Sequence, residues 1–179
     1  MTRRAVVLFN LGGPDSPAAI RPFLFNLFND PAIISLPNPL RWLLAKRISA
    51  KRAPVAREIY ANIGGCSPLL DLTAAQAEAL QAVLGEDHRV FVCMRYWHPM
   101  SAAVAKDVAA WQPDEIVLLP LYPQFSTTTT ASSLADWTRL GLDAPTAVIG
   151  CYPTEDGLVR GQANAVAAAL DGLECPRLL

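Results

Sequence analysis

Hydrophobic positions along this chain fall into two alternating patterns. Four short runs, at 5–10, 89–95, 115–121 and 146–151, are rich in Val, Ile, Leu or Phe with little polar alternation. Strands covered on both faces of a parallel sheet read this way. Stretches with helical spacing lie between them. Thr73 and Gln76 have capping-box spacing before a helix that would bury Ala79, Leu80, Val83 and Leu84 and stop at Gly85. Ser101 caps a second, carrying Val104, Val108 and Trp111 as far as Pro113. Ser132 or Ser133 begins a third, ending at Gly141, and Thr154 caps a fourth that runs to about Asp171 and Gly172. This alternation predicts right-handed βαβ crossovers and an α/β fold: a doubly wound, Rossmann-like parallel sheet of four strands with flanking helices.

Residues 17–61 break the rhythm. No strand is evident there, only helices separated by Pro31, Pro37, Pro39 and Pro54. Large apolar groups (Phe23, Phe25, Phe28, Ile33, Ile34, Leu36, Trp42, Leu43 and Leu44) are mixed with Lys46, Arg47, Lys51 and Arg52. An insertion this long after a first strand is more often a functional lip than a connector. The plainer reading, a helical pair packed on the sheet, is expected to hold for most of these apolar residues. At the other end, residues 175–179 read as the opening of a further buried strand, so the chain is expected to stop short of a second domain.

Composition narrows the function classes. The 179 residues are 52% hydrophobic, enough for a sizeable core. Fifteen basic against sixteen acidic side chains leave a net charge of −1, so no global field favours nucleic acid or an anionic membrane. Cys66, Cys93, Cys151 and Cys175 form no C-x-x-C pair and read as reduced thiols of a cytoplasmic protein, with Cys151 expected to be a core residue rather than a ligand. The apolar run after Arg4 is too short for an export signal and ends in a turn.

The chemistry-bearing motifs fall at predicted strand ends, where open α/β sheets bind ligands. Asn10-Leu11-Gly12-Gly13-Pro14 is a glycine turn without the G-x-G-x-x-G fingerprint, and nothing there weighs against a tight turn with no ligand role. A second glycine turn, Ile63 to Pro68, offers the Ser67 hydroxyl and exposed amides to a carboxylate, with Lys51 or Arg52 nearby as a cation. Arg95 and Tyr96 end the second strand, and an arginine there needs an anionic or polar partner to offset its desolvation. His98 fits a capping or satisfied structural histidine better than a catalytic one. Tyr122-Pro123-Gln124-Phe125 leads into Ser126, four threonines, Ala131, Ser132 and Ser133, a loop whose hydroxyls and helix-start amides suit an anion.

Five motifs together carry a resemblance. L-F-N-L-G-G-P from Leu8, I-G-G-C-S-P from Ile63, M-R-Y-W-H-P from Met94, L-P-L-Y-P-Q-F-S-T-T-T from Leu119 and Y-P-T-E from Tyr152 resemble ferrochelatase in order and spacing. These enzymes insert ferrous iron into a porphyrin. The resemblance implies two similar Rossmann-like domains around a porphyrin cleft, residues 1–179 supplying the N-terminal, chelatase-like one and residues 17–61 its lip. It puts Leu11 on the porphyrin face, with Arg95, Tyr96, Tyr122, Ser126 and Tyr152 lining the cleft. It gives the propionates to Arg52, Tyr60 and Ser67, and sets Glu155 near residues that pass metal inward. The family's catalytic histidine, in a Ser-Ala-His motif, and its partner glutamate would lie beyond Leu179, so the isolated chain is expected to be inactive.

The implied partners are protoporphyrin IX or coproporphyrin III and Fe²⁺ as substrates, with no permanently bound cofactor, no nucleic acid, and peripheral membrane contact through the lip as an option. Three departures stand out. Val55 replaces a propionate-binding lysine of some members, Ala131 a common glycine, and Thr127 stands where relatives with an iron–sulfur cluster place a cysteine, so no cluster is expected. A porphyrin, a flat apolar disc with carboxylate arms, needs aromatic and aliphatic walls, a few hydroxyls and one or two cations. The competing readings are a non-catalytic tetrapyrrole- or small-anion-binding module of the same fold, a chelatase for another metal, for which His88 and His98 do not look the right pair, and a nucleotide-binding domain, which lacks its fingerprint.

Overall fold

The computed structural model describes residues 2–173. The four apolar runs become β1 (Arg4–Asn10), β2 (His88–Met94), β3 (Glu115–Pro120) and β4 (Thr146–Val148). They lie in the order β2-β1-β3-β4, and every pairing is parallel. β1 takes a central place because Ala5 to Phe9 are all apolar, and each is at most 6% exposed. Six helices accompany the strands: α1 (Ile20–Phe28), α2 (Leu40–Ala61), α3 (Leu69–Leu84), α4 (Ser101–Trp111), α5 (Ser132–Thr138) and α6 (Asp156–Leu170).

The pleat sends alternate β1 side chains to opposite cores, as a doubly wound sheet requires. Ala5, Val7 and Phe9 join Phe91, Cys93, Ile116 and Leu118 beneath α4 and α5, with Phe9 edge-on to Trp137 at 5.6 Å. Val6 and Leu8 face Ala77, Leu80 and Leu84 of α3 on the other side. The predicted fold class holds.

Element starts differ from the sequence reading for a common reason. α3 begins at Leu69, and Thr73 lies within it, donating to the Leu69 carbonyl at 2.7 Å and accepting from Asn10 Nδ2 at 3.0 Å. Val83 and Ala79 face solvent, so α3 buries Leu80 and Leu84 only in part. Ser101 is the first residue of α4 and caps nothing; its hydroxyl donates to Asp136 at 2.7 Å. At α6 the cap is Glu155 rather than Thr154, its carboxylate accepting the Leu158 amide at 2.8 Å. A π-helical turn, Thr127–Ala131, precedes α5, which ends three residues before Gly141.

Two larger corrections concern cover. β4 is shorter than expected and exposed throughout, because α6 buries none of its side chains against it. The lip is not a packed pair for most of its apolar residues. The stripe α2 buries consists of the small residues Ala45, Ser49 and Ala53, so Trp42, Leu43 and Leu44 point to solvent together with Ile33 and Leu36. Phe23 alone of the nine named residues is fully buried. Pro54 does not divide the lip, since α2 runs through it; the carbonyl it crowds belongs to Ala50, a small exposed residue that water can reach. No helix among the described residues is long and apolar enough to cross a membrane. Residues 175–179 lie outside the described residues.

Candidate functional site

The carboxyl ends of β1, β2 and β3 are drawn together by backbone bonds that continue past the strands. The Arg95 amide donates to the Asn10 carbonyl at 2.9 Å and the Tyr96 amide to Leu11 at 3.0 Å. Glycine is required twice in this loop. Gly12 has φ +83°, and a Cβ there would stand 3.0 Å from the Trp97 nitrogen. A Cβ on Gly13 would collide with Ser67 Oγ. The two glycine turns therefore pack on each other, and the Ser67 amide completes the contact by donating to Pro14 at 2.8 Å. Ser67 Oγ accepts the Leu69 amide at 3.3 Å, which spends one of its lone pairs within its own turn.

Arg95 and Tyr96 converge on a residue that no motif contains. Asp30, just after α1, accepts at Oδ2 from Arg95 Nη2 at 2.8 Å, from the Tyr96 hydroxyl at 2.8 Å and from the Ser132 hydroxyl. Arg95 Nε also donates to Ser132 at 2.8 Å, its Nη1 lies 3.6 Å from Asp136, and its guanidinium stands 5.0 Å from the centre of the Tyr96 ring. Side-chain exposure is 11% for Arg95 and 2% for Asp30. A buried charge pair is tolerable only with its polar atoms largely paired, and here both Asp30 oxygens and Arg95 Nε and Nη2 are hydrogen-bonded, with Nη1 near Asp136. Burial pushes the Asp30 carboxyl up, but the Ser132, Ala32 and Tyr96 hydrogen bonds and the Arg95 charge outweigh it and hold it below the ordinary carboxylate range. Burial, together with the Asp30 bond and charge, raises the Tyr96 phenol against the pull of Ser132.

The hydroxyl-rich loop closes the same corner. Ser126 accepts the Thr128 amide at 3.3 Å, and the Thr128 carbonyl lies 3.4 Å from the Tyr96 hydroxyl. Burial lifts Tyr122 to about 12; Ser133 pulls the other way, although neither hydroxyl reaches hydrogen-bond geometry with any group in the structure. Thr130 Oγ1 is a third buried hydroxyl without a partner here. Such orphaned groups in one loop are the mark of a place where something polar belongs. Tyr152 anchors to the same strand end, its hydroxyl donating to the Pro120 carbonyl at 2.8 Å, and burial raises its phenol.

Arg95, Tyr96, Tyr122, Ser126, Leu11 and Ser67 thus gather at the sheet's carboxyl edge. Arg52 stays on the lip, exposed, with its guanidinium 5.9 Å from the Phe28 ring. Tyr60 is half-buried at the end of α2, and burial raises its phenol. No bond joins Ser67 to Lys51 or Arg52 among the described residues. Glu155 is fully exposed, and its bonds from the Leu158 and Gly157 amides lower its carboxyl. His98 is exposed and lies edge-on to Trp97 at 5.0 Å. Cys151 is exposed rather than core, because β4 and its continuation have no cover. Among the described residues no group of three His, Cys, Asp or Glu is placed to hold a metal. A cavity of about 300 Å³ borders Asp30 and Arg95, with Arg41, Arg139, Asn26 and Asn29 in its wall. A larger apolar one of about 780 Å³ lies at the foot of β3, around Gln112, Ile116 and Leu142, and contains none of these residues.

This geometry agrees with an independent comparison: residues 3–179 match the family model described as Ferrochelatase. The chain belongs to the ferrochelatase family. It is 53% identical over 173 residues to a ferrochelatase of Wolbachia sp. subsp. Drosophila simulans (strain wRi), covering 92% of this chain and 55% of that protein. It is 55% identical over 174 residues to a ferrochelatase of Caulobacter vibrioides, covering 93% of this chain and 50% of that one. A ferrochelatase of Pelagibacter ubique is 44% identical over 186 residues, with 99% and 54% covered. The chain spans about half the length of the curated relatives it matches.

Within this ferrochelatase-family chain, Asp30, Ser132 and Asp136 are the site residues that sequence reasoning misses as Arg95's partners. Arg95 demanded a partner, and a lone acid amid the apolar lip, in Leu27-Phe28-Asn29-Asp30-Pro31, was the available signal. Nothing local connects the two, which are 65 residues apart.

Proposed function

We propose that this chain builds one wall of the porphyrin cleft of a ferrochelatase, which inserts Fe²⁺ into a porphyrin in heme biosynthesis. The observation that carries the reading is the convergence of Arg95, Tyr96 and Tyr122 with the Leu11 loop and the hydroxyl-rich turn at one edge of the sheet. Insertion replaces two pyrrole N–H protons by one Fe²⁺ and releases both protons. It needs a seat that bends the ring, a base for the protons and a path for the cation. Leu11, Tyr122 and Tyr152 supply aliphatic and aromatic surface, and Ser126 a hydroxyl. Residues 17–61 form the lip, and their outward apolar groups extend the wall. Arg52, Tyr60 and Ser67 are the proposed propionate contacts; Arg52 suits the role because its charge is exposed. Glu155, exposed and ionised, is the proposed residue of the metal path.

No proton acceptor is assigned among the described residues of this chain. His88 opens β2 at the far end of the sheet, and His98 is held against Trp97, so neither is offered as the base. The chain alone then binds porphyrin without metallating it. Adding protoporphyrin or coproporphyrin should quench tryptophan fluorescence and shift the porphyrin's absorbance, and Fe²⁺ added afterwards should leave a metal-free spectrum. No shift with either porphyrin would contradict the cleft. Metalloporphyrin formed by the chain alone would put a base within it.

One observation favours a second reading, a tetrapyrrole- or small-anion-binding module without chemistry. Asp30, Arg95 and Tyr96 spend their polar atoms on one another, and the shifts of Asp30 and Tyr96 leave neither group poised to exchange a proton near neutrality.

A further inference from the structure

Asp30 lies in the lip, outside every motif, yet one carboxylate joins three separate segments of the chain. Its Oδ2 takes bonds from Arg95, Tyr96 and Ser132, which are 65, 66 and 102 residues away, and Oδ1 takes the Ala32 amide at 2.7 Å. Arg95 is held on every side. Nε is bonded to Ser132, Nη2 to Asp30, Nη1 faces Asp136, and the plane lies over Tyr96. Asp136 is shared with Arg139, whose Nη2 is 4.0 Å away, so the Arg95 charge is met by Asp30 and Asp136 directly, while Arg41 on the same cavity is bonded only to backbone carbonyls among the described residues. A cation balanced in this way offers little net attraction to a further anion.

We infer that Asp30 is the positioning residue of the cleft wall, and that Arg95, held by it, gives tetrapyrrole binding its shape and not its charge. The second clause rests on the tetrapyrrole reading above. The carboxylate arms are then met by cations elsewhere, and Arg95 does not distinguish a porphyrin that carries them from one that lacks them. Removing the Asp30 charge releases the guanidinium and creates a preference that the native wall does not have.

The test compares a porphyrin dicarboxylic acid with its dimethyl ester, binding to the 179-residue chain and to the D30N and R95Q variants, by fluorescence titration. R95Q should weaken acid and ester by the same factor, leaving their affinity ratio within about twofold of the parent. D30N should shift the ratio toward the acid by about threefold or more, as an unpaired cation would. Selective loss of the acid in R95Q by about tenfold would overturn the inference, as would an unchanged ratio in D30N.

A second readout needs no porphyrin. The Arg95 Nη2 protons, which bond Asp30, should give slowly exchanging NMR resonances in the parent that are lost in D30N while the β1 amides keep their shifts; their persistence in D30N would overturn the positioning role. Where D30N does not fold, D30N/R95Q should, because the stranded charge is gone, and a double variant no more stable than D30N contradicts the coupling. If neither acid nor ester binds the parent chain, the tetrapyrrole reading and the clause resting on it fail, and the Nη2 proton signal decides the positioning role by itself.

Discussion

β1 and β4 both pair with β3 in parallel, and both come from apolar stretches of sequence. Around β1 the sheet is sealed, by α4 and α5 on one face and by α3 on the other. Around β4 it is open: Thr146, Ala147 and Val148 are exposed, Ile149 beyond them is 45% exposed, and Val159 of α6 is 49% exposed. Apolar composition records that a strand is suited to cover; it does not record where the cover comes from. The candidate site repeats the contrast. Its Arg95 side chain is locked to the distant Asp30 and Ser132, whereas the Glu155 side chain bonds, among the described residues, only to the start of its own helix.

The contrast breaks first in stability. Phe9→Ala removes a ring that is 1% exposed and packed on Trp137, and should cost about 3–5 kcal/mol by urea denaturation. Val159→Ala, on the open side, should stay within about 0.5 kcal/mol. Equal effects would mean that the two sides are equally packed.

A smaller effect sharpens the comparison through pH. The Asp30 carboxyl is held below its ordinary value, so folding makes it a stronger acid. Its contribution is complete above the unfolded-state value near 3.8 and is lost as the pH falls through the lower, folded value. The stability difference between the parent and D30N should therefore be constant from neutrality down to about that unfolded value and shrink below it. A difference that grows on acidification would reverse the assigned sign.

Much of this was legible from local pattern. Three of the four strands lie within about a residue of their apolar runs, because consecutive branched side chains suit a sheet buried on both faces. The motifs at their tips do converge. Hydroxyls with distant partners were harder to read: Thr73 and Ser101 resemble caps in sequence, but Asn10 and Asp136, 63 and 35 residues away, claim their side chains. Asp30 was hidden for the same reason. Its importance comes from tertiary contacts, and its neighbours along the chain are the apolar residues of a lip.

The claim on which the rest depends is that a tetrapyrrole sits at the carboxyl edge of the sheet, against Leu11, Arg95 and Tyr122, with the buried Tyr96 supporting Arg95 from within. Mapping backbone amide shifts while titrating a porphyrin into the chain tests it directly. The account predicts shifts concentrated at residues 11–13, 95–97 and 122–130, with little change in α6 or around the cavity at the foot of β3. Shifts centred on that cavity, with the strand tips undisturbed, would contradict it.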